Sequence, residues 1–202
     1  MEIEPIELGY KLDALEPHIS KETMALHYDK LYKAYVTRVN HCLEKHPKIN
    51  ISVEEMCKWP YDLPADIRQV CRNNAGGVWN HELYFKLISP GGESKPCETI
   101  TSDLDTYFGG YESFKSLFIA TACRHFGSGW CYLCRTYSGD LVITCTDNQN
   151  TPMYDYDYYP ILGCDLWEHS YLLDRGSKRP EYLKAFFSLL NWSVVEDRWN
   201  KK

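Results

Sequence analysis

No stretch of this 202-residue chain approaches the ~18 consecutive apolar residues that a membrane-spanning helix needs. Positive charge is also short: 22 Lys and Arg stand against 28 Asp and Glu, a formal net charge of −6. That balance argues against a general nucleic-acid or membrane-surface role. The opening Met1-Glu2-Ile3-Glu4-Pro5 has neither the basic and apolar regions of a signal peptide nor the Arg-rich character of a transit peptide. Internal repeats and low-complexity tracts are lacking too. The nine cysteines are an odd number without the spacing of a disulfide-stapled scaffold, and they predict reduced thiols in a cytoplasmic protein. Cys131-Tyr132-Leu133-Cys134 has the spacing of half a zinc ribbon. No second such pair completes four ligands, so both cysteines read as strand residues.

Apolar residues make up 44% of the chain, enough for a real core in one large domain or two small ones. Residues 1–19 read as an extended lead-in, with Pro5 and Pro17 discouraging helix. Ser20 is placed to cap a helix reaching about Lys45. Along it Met24, His27, Leu31, Ala34 and Tyr35 recur at three- and four-residue steps, which puts His27 on the buried stripe. His46-Pro47 breaks this helix, and Trp59-to-Pro64 is an irregular link. A second helix is expected from about Ala65 to Ile88, and its internal Gly76-Gly77 implies that something approaches closely there.

Ser89-Pro90-Gly91-Gly92 marks a boundary, giving a helical-hairpin domain over residues 1–90 and an α+β domain over 91–202. Glu93 to Glu98 reads as turn-like. A helix follows from about Tyr111 to Arg124, with Phe114, Leu117, Phe118 and Ala122 on one face. Strands are expected at 129–136 and 140–146, joined at Ser138-Gly139, and a third around Pro160 to Cys164. Pro180 opens a helix to about Leu190, and Ser193 is placed to cap a short last one. The fold class is α+β: a helical hairpin, then a three-stranded antiparallel sheet flanked by helices.

Asp165-Leu166-Trp167-Glu168-His169 sets a carboxylate and an imidazole four residues apart, after an apolar run. An anionic oxygen and a neutral nitrogen suit a first-row transition metal. Alone, the pair equally fits an N-capping Asp and a core His. Of seven histidines, His18, His41, His46 and His125 sit beside proline or charged residues, whereas His27, His81 and His169 lie among apolar or aromatic ones. One such His is usually a satisfied core residue. Three, each needing its own buried partner, make that reading uneconomical.

The order of motifs resembles the iron/manganese superoxide dismutase family. Ala14-Leu15-Glu16-Pro17-His18-Ile19-Ser20 is followed by Met24, His27 and Ala34-Tyr35-Val36, then by Trp79-Asn80-His81. Phe126-Gly127-Ser128-Gly129-Trp130, Asp165-to-Tyr171, Arg179-to-Leu183 and Asn191-Trp192 continue the match over nearly the whole chain. The resemblance implies a metal held by His27 and His81 from the first domain and by Asp165 and His169 from the second, with solvent as a fifth ligand. It implies conversion of two superoxide ions to dioxygen and hydrogen peroxide, the metal cycling between +3 and +2. Three imidazoles, one carboxylate and an open position suit iron or manganese. A non-haem iron oxygenase, with two His and one carboxylate, would leave more positions open than four protein ligands allow.

By the same resemblance Tyr35 guards the channel and helps deliver protons, and Gln149 directs its amide at the metal-bound solvent. Trp130 and Trp167 wall the pocket. Glu168 would reach across a homodimer, with a tetramer left open, to the partner subunit's His169. Gly77, Gln149 and Gly163 favour one manganese per subunit, while Val78-Trp79 looks more like the iron branch and leaves iron or either metal open. The chain departs from the family pattern at Leu31 and Leu172, where His and Tyr are common, and in Tyr84-Phe85 and Tyr132. The rival reading is a family member that has lost activity and only binds metal or serves as structure. The filled ligand positions, with Tyr35 and Gln149, argue against it.

Overall fold

The computed structural model describes residues 2–92 and 96–201. Ser20 caps the first helix as expected, its hydroxyl accepting from the Thr23 N–H at 3.1 Å. Helix α1 (Lys21–Met24) runs on through a π-helical segment, Ala25–Tyr32, into α2 (Lys33–Glu44). In the widened part the Lys33 N–H reaches back five residues to the Tyr28 carbonyl. A stripe at 3.6-residue steps cannot show that widening, which falls on the stretch carrying His27 and Leu31.

Helix α3 (Val53–Lys58) occupies a stretch for which no element was expected, and Ser52 and Glu55 start it with a reciprocal capping box. After a single 3₁₀ turn at Pro60–Asp62 comes α4 (Arg68–Leu87), which lies against α2. Every residue from Asn74 to His81 is buried. Such a helix is covered on all sides, and the covering comes partly from the second half of the chain.

Helix α5 (Glu98–Phe108) corrects the expectation of a turn at Glu98; Glu93, Ser94 and Lys95 lie outside the described residues. It stops at Gly109, whose φ of 74° is the left-handed ending that glycine permits. Helix α6 (Tyr111–Arg124) buries Phe114, Phe118 and Ala122 fully, but Leu117 sits at the edge of the stripe and is 44% exposed. The Phe114, Phe118 and Phe187 rings meet edge-on at 5.4–6.0 Å.

Strands β1 (Gly129–Arg135) and β2 (Leu141–Asp147) form the expected hairpin, whose connection includes Tyr137 as well as Ser138 and Gly139. A four-residue helix, α7 (Pro152–Asp155), interrupts the loop before β3 (Tyr159–Asp165). The sheet is antiparallel with order β2-β1-β3, so β1 is central. Helix α8 (Leu172–Arg175) is one turn long, α9 (Arg179–Leu189) opens with Pro180 in its first turn, and α10 (Trp192–Trp199) ends the fold. Asn191 caps α10, accepting from the Ser193 and Val194 N–H groups at 3.1 and 3.4 Å, so the cap lies two residues before the expected Ser193.

Helix α4 packs on β3, and Ile88 bridges to Leu190. One continuous apolar core runs through both halves of the chain. The contact between α4 and β3 sets His81 beside Asp165.

Candidate metal centre

Four side chains from four segments converge. His27 comes from the π-helical segment, His81 from α4, Asp165 from the last residue of β3, and His169 from the 3₁₀ turn Glu168–Ser170. From Asp165 Oδ2, the Nε2 atoms of His27, His169 and His81 lie at 3.0, 3.1 and 3.7 Å. The four donor atoms are all within 4.8 Å of one another, and no second such group of His, Cys, Asp and Glu occurs among the described residues. Cys131 and Cys134 accordingly belong to β1 and to no metal cluster.

Local structure aims each donor. The strand ends at Asp165, and the Trp167 N–H then donates to Oδ1 at 2.8 Å, which holds that oxygen and leaves Oδ2 facing the imidazoles. Ser170 Oγ closes the turn onto the Trp167 carbonyl at 2.6 Å. His81 Nδ1 donates to the Gly77 carbonyl one turn earlier at 2.6 Å. A carbonyl can only accept, so the proton is on Nδ1 and the Nε2 lone pair is free to bind. That Nε2 is buried and has no hydrogen-bond partner.

A buried orphan nitrogen is costly unless something satisfies it. Its surroundings are two further imidazoles and a carboxylate, so the residues present fit a transition-metal cation. Burial favours the uncharged form of His27 and holds His81 neutral down to about 3, with the neighbouring His27 adding to the effect. Burial pushes the Asp165 carboxyl up, but His169 and His27 outweigh it and hold it below the usual carboxylate range. Two neutral nitrogens, of His27 and His81, therefore face one negative oxygen.

Beside it lies a second polar group. Gln149, 6% exposed, follows β2, where Asn148 turns the chain with a φ of 53°. Its Oε1 accepts from Trp130 Nε1 at 3.0 Å and from Asn80 Nδ2 at 3.2 Å. An indole N–H only donates, which fixes the amide orientation and leaves Nε2 to donate to Tyr35 Oη at 3.2 Å. Asn80 is held in turn by the Tyr132 hydroxyl at 2.7 Å.

Asn80 is thus a site residue that reading for ligands passes over, and Tyr132, met in the sequence only as a departure from the family pattern, is its partner. Two signals were available. Asn80 adjoins His81, and Tyr132 stands two residues from Trp130 on the same face of β1.

Of the other expected residues, Trp130 lies 5.1 Å from the His81 ring and Trp167 lies 5.7 Å from His169, centroid to centroid. Tyr84 and Phe85 close on His27 at 5.2 and 5.0 Å. Glu168 is exposed, Leu172 is 49% exposed and Leu31 is half-buried, and none of these three joins the donor cluster. His125, set apart by sequence because it adjoins Arg124, has a side chain only 9% exposed, its Nε2 3.3 Å from the Ser128 carbonyl.

Two family models match the chain. Iron/manganese superoxide dismutases, alpha-hairpin domain, matches residues 3–89, and iron/manganese superoxide dismutases, C-terminal domain, matches residues 96–198. A superoxide dismutase [Mn] of Thermus thermophilus is 40% identical over 196 residues, covering 96% of each chain.

Proposed function

Because this chain belongs to the iron/manganese superoxide dismutase family, we propose that His27, His81, Asp165 and His169 hold its metal. It is an oxidoreductase that converts two superoxide ions to dioxygen and hydrogen peroxide at a manganese or iron site. The observation carrying the ligand assignment is the buried, unpartnered Nε2 of His81, facing Asp165 and two more imidazoles. Dividing the chain into residues 1–90 and 91–202 belongs to the same reading, with two ligands supplied from each side of the division.

Bound there, the metal supplies a one-electron couple between +3 and +2. The chain's own residues do the rest. Burial of His27 and His81 keeps these two imidazoles unprotonated and binding-competent, and Asp165 brings the negative charge that favours a cation. Tyr84, Phe85, Trp130 and Trp167 exclude bulk water from the pocket.

Peroxide formation consumes two protons per turnover. Tyr35 is placed to relay them: burial raises its pKa and keeps the proton on Oη, and Oη accepts from Gln149, so its own hydrogen is free to donate into the site. Trp130 and Asn80 hold the Gln149 amide in the orientation that this relay needs.

Manganese is the favoured metal. Gln149 supplies the polar group from the second half of the chain, Gly77 leaves room for the Tyr35 ring, and the similar Thermus thermophilus protein is named as a manganese enzyme. Glu168, exposed on the turn that carries His169, suits contact with the partner subunit's His169 in a homodimer. The protein is read as cytoplasmic and without nucleic-acid or membrane partners. Its nine cysteines are all free, and among the described residues no helix is long and apolar enough to cross a membrane.

Metal analysis and superoxide consumption, measured on one purified sample, test this reading. Asp165→Ala is expected to lose metal and activity together. Parental metal occupancy and dismutation in that variant would reject the ligand set.

A further inference from the structure

Three cysteines form a row across the sheet. Cys145 of β2 stands opposite Cys131 of β1, which stands opposite Cys164 of β3. Side chains directly opposite on adjacent strands project from the same face. The two pairs differ in kind. Asn148 N–H donates to the Ser128 carbonyl and Thr136 N–H to the Asp140 carbonyl, both at 2.9 Å, marking hydrogen-bonded positions at both ends of the β1–β2 ladder. Counting alternately from either end makes Cys131/Cys145 a non-hydrogen-bonded pair, the close type with Cα atoms about 4.5 Å apart. That separation is within the range that a disulfide spans. On the other side Leu166 N–H donates to the Gly129 carbonyl at 2.9 Å. Cys131/Cys164 is therefore a hydrogen-bonded pair, with Cα atoms about 5.5 Å apart and side chains less close.

Access separates the two thiols as well. Cys131 is fully buried, whereas Cys145 is half-buried on the edge strand. Its sulfur lies 4.0 Å from the Thr121 carbonyl of α6. We propose that Cys131 and Cys145 are an oxidation site, a cross-strand dithiol that hydrogen peroxide converts to a disulfide. The enzyme's own product is that oxidant, so its source rests on the dismutase activity, while the pairing of the two thiols does not.

The chemistry divides between them. The hydrogen bond from Cys131 lowers the pKa of Cys145, with Arg179 and Arg124 acting in the same direction against burial, while burial raises that of Cys131. Cys145 sulfur attacks one peroxide oxygen, the O–O bond breaks, and the departing hydroxide takes a proton and leaves as water. The sulfur of Cys131 then attacks the resulting sulfenic acid; the S–O bond breaks, and a second water leaves with the Cys131 proton. Two thiols and one hydrogen peroxide give one disulfide and two waters.

The test maps thiols on the metal-loaded protein after reduction, removal of reductant and exposure to a small molar excess of hydrogen peroxide. Alkylation under denaturing conditions and peptide mapping without reductant should find Cys131 joined to Cys145 and every other cysteine alkylated. Dithiothreitol should restore all nine thiols. Cys164→Ala should leave the link intact, and Cys145→Ser should abolish it with Cys131 still free. Adding peroxide directly makes the result independent of turnover. Nine alkylated thiols after peroxide, a Cys131–Cys164 link, or Cys145 over-oxidised beside a free Cys131 would each overturn the proposal.

Discussion

The ring of Tyr35 lies flat against Gly77: a Cβ added to that glycine would fall 2.6 Å from two of the ring carbons. This contact closes α2 onto α4 and sets the Tyr35 hydroxyl beside Gln149. At the preceding Gly76, an added Cβ would fall 2.0 Å from the Gln149 carbonyl oxygen, a backbone atom that cannot swing aside.

Helix propensity alone would make Gly→Ala at either position stabilising by up to ~1 kcal/mol. The two close approaches reverse the sign. Overpacking of this kind costs roughly 1–3 kcal/mol, and Gly76→Ala should be the worse variant because backbone must move. Thermal unfolding and superoxide consumption are expected to fall together, since both substitutions displace the Tyr35–Gln149 pair. A Gly76→Ala protein melting at or above the parent temperature would show that the approach is not as tight as described.

Acidification should destabilise the metal-stripped protein. An unfolded His titrates near ~6.5, whereas His81 in the fold, chiefly through burial, stays neutral down to about 3. Between those values the unfolded chain carries a proton that the folded chain does not, so stability rises with pH across this window and is lost on going down through it. Asp165 acts in the same sense lower down: its folded pKa is depressed, so its contribution is present above the unfolded value of ~3.9 and lost as pH falls. Melting temperature measured from about pH 7 to about pH 4 should decline, and His81→Gln should flatten the decline. An equally steep decline in that variant would assign the effect to other groups.

Reconstitution with single metals tests the manganese preference. A hydrogen-bond donor held beside the open coordination position favours the +3 state and lowers the reduction potential, a depression that manganese needs more than iron. In the proposed site Gln149, whose oxygen Trp130 and Asn80 hold, would be that donor. The manganese-loaded protein is expected to be at least as active per metal as the iron-loaded one. Activity with iron alone would refute this.

These expectations draw unequally on sequence and structure. His27 was legible because three- and four-residue steps put it on a stripe, and Asp165 with His169 because an apolar run precedes both. The π-helical widening was not, since it changes hydrogen-bond partners without changing which residues are apolar. Helix α5 escaped because its only buried residues are Ile100 and Leu104, too thin a stripe to stand out. The Ser52/Glu55 box of α3 was present in the sequence and overlooked. That something approaches Gly76-Gly77 was legible. What approaches was not, because Tyr35 and Gln149 lie 42 and 72 positions away from Gly77 along the chain. The Tyr132–Asn80–Gln149 chain likewise joins three separate elements and leaves no local pattern.

The last expectation concerns Leu31 and Leu172, which replace a His and a Tyr common in the family. Leu31 is half-buried in the widened turn after His27, and Leu172 is 49% exposed at the start of α8, three residues after His169. Asp174 of α8 accepts from the Ser20 N–H at 3.0 Å, which ties that turn to the start of the helix carrying His27. If the dimer forms as proposed, two apolar residues here would make a dry contact, worth roughly 25 cal/mol per Å² removed from water. Restoring one polar partner alone would bury an unpaired group, costing ~1–3 kcal/mol. Leu31→His is therefore expected to weaken dimerisation, and Leu31→His with Leu172→Tyr to recover part of the loss. Sedimentation across a concentration series on the four proteins of a double-mutant cycle measures that coupling. Strictly additive changes in dimer dissociation would mean that the two replacements are independent.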